Sequence, residues 1–128
     1  MYNSYSKDSN LIIDKGRGNE NDFLQQITLF IQDNLQNQEV GVPEVCRHVG
    51  MSKSVLYKKL RTVSGMTIND FVRIVRFSAA AGLLKDRNLT IQEVALLVGY
   101  ENRKYFSKEF KKHYGKNPSE YSEALWLD

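Results

Sequence analysis

Apolar residues in this chain recur at helical spacing and nowhere alternate with a sustained period of two. Phe23, Leu24, Ile27, Phe30, Ile31 and Leu35 fall on one helical face, with Asp22 as the expected N-cap. A second helix is expected from near Pro43, a residue suited to a first turn, to Gly50. Ser52 should cap a third, running through about Val63 and stopped by Ser64-Gly65. Thr67-x-x-Asp70 resembles a capping box and opens a long helix to about Leu84, whose inward face is Phe71, Ile74, Val75, Ser78, Ala81 and Leu84. Thr90-Ile91-Gln92-Glu93 is a full capping box. Asn102 caps a helix reaching His113 or Tyr114, and Asn117-Pro118-Ser119-Glu120 opens a short closing one. The expected fold class is all-α, about seven helices and no sheet.

The same pattern is written twice. Val42-x-x-Val45-Cys46-x-x-Val49-Gly50 is followed by Leu56, Leu60, Gly65 and Phe71, and Ile91-x-x-Val94-Ala95-x-x-Val98-Gly99 by Phe106, Phe110, Gly115 and Tyr121. The offset is 49 up to the inner glycine and 50 after it, so the second turn holds one extra residue. Each unit is two short helices around a turn that contains glycine, the layout of a helix-turn-helix. Such a unit needs a small residue where its helices cross and, four positions later, one that tolerates positive φ. Ala95 and Gly99 supply both, as do Cys46 and Gly50, with cysteine acting as a small hydrophobe. The chain divides into a polar arm (residues 1–21), a first unit (22–66), a connecting helix (67–86) and a second unit (87–128).

The second helix of each unit separates its residues by chemistry. In the first, Val55, Leu56, Leu60 and Val63 are expected inside, leaving Lys53, Ser54, Tyr57, Lys58 and Arg61 on or beside the open face. In the second, Tyr105, Phe106, Phe110 and Tyr114 are expected inside, with Arg103, Lys104, Ser107, Lys108, Lys111 and Lys112 outward. Arg and Lys near a helix N-terminus suit base edges, and later lysines suit phosphates. A connecting helix from Ile68 to Leu84 spans roughly 26 Å at 1.5 Å per residue. That can hold two such helices near the roughly 34 Å between successive major-groove faces, given some DNA bending.

Charge sharpens this picture. Residues 1–50 carry four basic and seven acidic side chains, whereas residues 51–128 carry fourteen and eight. The positive excess therefore sits with the second helices, as phosphate binding requires. The 128 residues suit one compact domain or two very small ones sharing a core. No apolar run approaches the roughly 20 residues of a membrane helix, and the N-terminus lacks the apolar core of a secretory signal. A lone cysteine excludes an internal disulfide framework and fits a reducing, cytoplasmic setting, and DNA binding would make the protein nucleoid-associated there.

Ile91-x-Glu-Val-Ala-x-x-Val-Gly-Tyr100, then Tyr105-Phe-Ser-Lys-x-Phe-Lys-Lys-x-x-Gly115, then Pro118-Ser-Glu-Tyr121 resembles the C-terminal motif of the AraC/XylS-type transcription regulators. Met51-Ser-Lys-Ser-x-Leu-Tyr-Lys-Lys-Leu60, Gly65-Met-Thr67 and Phe71-Val-Arg73 fit that family's first unit, so the likeness covers about residues 22–125. It implies a transcription activator that inserts one helix per unit into adjacent major-groove segments of double-stranded DNA and contacts RNA polymerase; binding is expected as a monomeric unit. It also implies that Ser54, Tyr57 and Lys58 read bases in the first unit, and Arg103, Lys104, Ser107 and Lys108 in the second. Three positions depart from the family pattern: Ser78 stands where a basic residue is usual, Cys46 replaces alanine, and Gly82 makes the connector more pliable. The Leu56-Tyr-Lys-Lys-Leu60 run also resembles the output domains of two-component response regulators and hybrid sensor kinases. In that case residues 1–21 tether a signal-receiving domain, and the full-length protein can be membrane-tethered.

Other chemistries find little support. Cys46 and His48, two apart, point to different sides of a helix, and with His113 they lack paired metal-ligand spacing. The helical spacing of Phe106, Phe110, Tyr114 and Tyr121 favours core packing over base stacking, and Trp126 suits a terminal packing contact. There is no glycine phosphate loop, carboxylate pair or nucleophile constellation, so neither catalysis nor a cofactor or metal is expected. The competing reading is a basic helical module that binds an acidic protein partner, with the repeat serving only packing.

Overall fold

A computed structural model describes residues 18–127. Seven helices and no strand occur among the described residues: α1 (Gly18–Asp33), α2 (Val42–Val49), α3 (Lys53–Ser64), α4 (Ile68–Leu83), α5 (Ile91–Leu97), α6 (Arg103–Tyr114) and α7 (Pro118–Leu125). The all-α expectation holds. Most of the polar arm lies outside the described residues.

Side-chain caps start five of these helices. Ser52, Thr67, Thr90, Asn102 and Asn117 accept the backbone N–H of Val55, Asp70, Glu93, Tyr105 and Glu120 at 3.4, 3.1, 3.0, 2.9 and 2.8 Å. The box is reciprocal at Thr90–Glu93 and Asn117–Glu120, where the glutamate accepts the cap's own N–H at 2.8 and 3.0 Å. It is one-sided at Thr67, because Asp70 is one methylene shorter and pairs instead with Arg73 at 3.4 Å. Asp22 does not cap α1. The helix begins four residues earlier, at Gly18, because Asn19-Glu20-Asn21-Asp22 holds no helix breaker.

The connecting helix is the centre of the molecule. Phe71, Val75, Ser78, Ala81 and Leu84 are buried as expected, while Ile74 is half-buried. Arg76, Phe77, Ala79 and Ala80 are buried as well, so every residue from Val75 to Ala81 is enclosed. The expectation of a single inward face is thus corrected: α1 and α5 pack on α4 from different sides, and three consecutive alanines let them approach. Phe23, Leu24, Ile27 and Ile31 from α1 meet Leu56 and Leu60 from α3 in one cluster, which continues to Val94, Ala95, Val98, Phe106 and Phe110. Phe77 lies among Tyr100, Phe106, Phe110 and His113, with ring centroids 5.6–6.3 Å away. Each fully buried Phe contributes about 1.5–3 kcal/mol of transfer free energy, so Phe77, Phe106 and Phe110 tie α4 firmly to α6.

One cation interrupts the apolar enclosure. Arg76, 5% exposed, donates through Nη1 to the carbonyls of Leu35 and Val98, the latter at 2.6 Å, and through Nη2 to Asn37 O at 3.0 Å. Its charge is compensated by backbone dipoles rather than by an acid. Burial lowers its pKa from the ordinary arginine value, and burial raises that of Tyr100 nearby, partly offset by the guanidinium.

Candidate nucleic-acid interface

The two turns are built alike. Gly50 ends α2 with φ 69° and Gly99 follows α5 with φ 93°, both left-handed. The N–H of Met51 donates to Cys46 O at 3.1 Å, and that of Tyr100 to Ala95 O at 2.8 Å, the same bond 49 positions on. The next caps, Ser52 and Asn102, are 50 apart, so the extra residue is Glu101. Ala95 is fully buried and Cys46 packs half-buried against the same core, as expected of small crossing residues. His48 is exposed and stacks on Phe30, centroids 4.3 Å apart. No group of three His, Cys, Asp or Glu could hold a metal among the described residues.

These turns launch α3 and α6, each 12 residues long. On α3, Leu56 and Leu60 are fully buried, Val63 is half-buried, and Lys53, Ser54, Tyr57, Lys58 and Arg61 are exposed. On α6, Phe106 and Phe110 are fully buried, which removes them from any base-stacking role, and Tyr114 is half-buried. Arg103, Lys104, Lys108, Lys111 and Lys112 are exposed, and Ser107 is half-buried.

Two residues assigned to the core are outside it: Val55 is 51% and Tyr105 53% exposed. Each lies about 100° around its helix from the fully buried Leu56 or Phe106, so the apolar stripe is too narrow to include it. A strict count of the i, i+4, i+7 stripe through Leu56, Leu60 and Val63 would have set Val55 apart.

The outward cations differ in their freedom. The Lys53 ammonium lies 5.6 Å from the Tyr57 ring centroid, holding that ring at the helix N-terminus. Arg61 donates to Gly65 O at 3.3 Å, closing the end of α3. Lys112 pairs with Glu109 at 3.2 Å, and Lys59 turns over the Phe23 ring at 4.7 Å. Arg103, Lys104 and Ser107 converge with Asn117, Pro118 and Ser119 around an open recess of about 360 Å³. α3 carries no acid and α6 only Glu109, so both outer faces present donors and positive charge. The 16 residues of α4 between the units span roughly 24 Å at 1.5 Å each. No helix among the described residues is long and apolar enough to cross a membrane.

Comparison with known proteins places these features in a family. The model of a helix-turn-helix domain matches residues 45–124. The chain is 31% identical over 98 residues to histidine kinase P4 of Formosa agariphila, covering 77% of this chain but 7% of that protein. It is 28% identical over 102 residues to the regulatory protein SoxS of Escherichia coli strain K12, covering 80% of this chain and 94% of SoxS. Among solved structures, the C-terminal domain of AraT, a response regulator from Geobacillus stearothermophilus, superposes with a TM-score of 0.72 at 26% identity, over 80% of this chain and 84% of that one. With its paired turns, exposed basic helices and all-α architecture, the chain belongs to the AraC-type family of helix-turn-helix DNA-binding domains.

Proposed function

We propose that this chain is the DNA-reading part of a transcription activator that inserts α3 and α6 into adjacent major-groove segments of one duplex. The observation that carries this reading is the pairing of two equally long helices with matched caps and outward basic faces, on either side of α4, whose segment Val75–Ala81 is buried. The units, divided near residues 66 and 87, act as two heads. Ser54, Tyr57 and Lys58 read bases from α3, and Arg103, Lys104, Ser107 and Lys108 from α6. Lys53, Arg61, Lys111 and Lys112 supply phosphate contacts, with Arg61 and Lys112 the weaker because each already holds a local partner. No catalytic step is part of the proposal.

Activation proceeds through contact with RNA polymerase, and a signal-receiving domain N-terminal to these residues governs it. Support for that domain comes from the small share of histidine kinase P4 that the chain spans and from the likeness to a response regulator's C-terminal domain. Fluorescence anisotropy of a labelled duplex over a salt series tests the DNA reading. The expected log–log slope has a magnitude of roughly 4 or more, since each neutralised phosphate contributes about 0.9. A flat response, with binding to acidic proteins retained, would favour the protein-interaction module.

A further inference from the structure

We infer that Arg76 is a positioning residue that sets the spacing at which the two heads engage DNA. The inference rests on the two-headed reading above.

The first unit meets the rest of the molecule mainly through α1 on α4, and the second mainly through α5 on α4. The angle between α3 and α6 therefore depends on how each unit is seated on the connecting helix. Arg76 rises from that helix between them. Its Nη1 donates both to Leu35 O, in the turn that follows the first unit's α1, and to Val98 O, in the second unit's turn. Its Nη2 donates to Asn37 O in the first unit. One planar, rigid group thus ties the segment entering α2 to the turn that launches α6.

The second unit is shaped around this tie. A Cβ on Gly99 would lie 1.7 Å from Arg76 Nη1 and 2.4 Å from Leu35 O, so the turn closes on the guanidinium only because residue 99 has no side chain. A lysine in place of Arg76 keeps the charge but offers one nitrogen, which cannot reproduce a fork to three carbonyls on two units. DNA makes such seating matter. Moving one half-site by a base pair shifts it by about 3.4 Å and turns it by roughly 34° about the helix axis.

The test uses duplexes carrying the protein's own selected bipartite site, with the spacer between segments changed by −1, 0, +1 and +2 base pairs. For the unaltered protein, affinity should fall about tenfold or more per base pair away from the optimum, the size of a mismatched contact. For Arg76→Lys, that penalty should shrink below about threefold while affinity for a duplex with a single segment stays within about twofold. A spacing profile as strict as the unaltered protein's, or an equal loss at every spacing, would overturn the inference. An unaltered protein with no bipartite preference would instead overturn the two-headed reading itself.

Should Arg76→Lys fail to fold, a distance measurement decides. Spin labels at Thr62→Cys and Lys112→Cys, in a Cys46→Ala background with Arg76 intact, should give one narrow distance in free protein. A broad distribution would contradict a fixed seating of the two heads.

Discussion

Val55 and Tyr105 occupy the same place in the two units. Each is the third residue of its helix, each donates its backbone N–H to the N-cap side chain, and each has about half its surface open, 51% and 53%. In each helix it follows the first two outward polar residues, Lys53 and Ser54 or Arg103 and Lys104. If these helices read bases as proposed, an apolar side chain held at their N-terminus suits the thymine C5-methyl, the one apolar feature of the major groove. Val55→Ala and Tyr105→Ala should each leave stability within about 0.5 kcal/mol, as exposed positions do. Each should weaken binding to the selected site by on the order of 1 kcal/mol. Thymine-to-uracil exchange at the contacted step gives the check: it should weaken the unaltered protein and leave the matching Ala variant indifferent. Equal sensitivity in both would place these side chains away from the methyl.

Lys108 and Lys112 should behave differently although both are exposed lysines on α6. Lys112 is paired with Glu109 at 3.2 Å, and Lys108 lies nearer the helix N-terminus. Lys108→Ala should cost about 1–3 kcal/mol and relax preference at one base position, whereas Lys112→Ala should weaken every sequence alike by less than about 1 kcal/mol. Binding measured on the selected site and on its single-base variants separates the two patterns.

The left-handed glycines also divide. A Cβ at Gly115 (φ 80°) meets nothing within 4 Å, so Gly115→Ala should cost only the backbone term, about 1–2 kcal/mol. Gly99→Ala adds collisions with the Arg76 guanidinium at 1.7 Å and the Leu35 carbonyl at 2.4 Å, and should cost about 3–5 kcal/mol. Denaturant titrations of the two variants give the comparison; equal losses would mean that Arg76 can move aside.

Glu44 gives the fold an acid-sensitive component. Its carboxylate accepts the Gly41 N–H at 2.8 Å, which, with lesser help from Arg47 at 3.3 Å, holds its pKa below the ordinary 4.5. A carboxyl with a lowered folded pKa adds stability that is complete above the unfolded value and is lost as pH falls through the folded one. The stability difference between the unaltered protein and Glu44→Ala should therefore be constant from neutral pH to about 5 and shrink below about 4. A difference that grows on acidification would contradict the assignment.

What the sequence disclosed follows from how local each signal is. The caps at Ser52, Thr90, Asn102 and Asn117 were legible because donor and acceptor lie three residues apart. The repeat placed both turns, and the exposed cations of α3 and α6 followed from the buried pairs Leu56–Leu60 and Phe106–Phe110. Arg76 was not legible, because its acceptors are backbone carbonyls 41, 39 and 22 residues away, which no side-chain pattern encodes. Val55 and Tyr105 were misplaced because their apolar chemistry matched the core, while their angle around the helix did not.

Selection of bound sequences from a random duplex library, read out for the intact chain, tests the central claim most directly. Two conserved segments with centres about one helical turn apart are predicted, one losing definition with Lys58→Ala and the other with Lys108→Ala. A single conserved segment, or no enrichment at all, would contradict a protein that reads DNA with both helices.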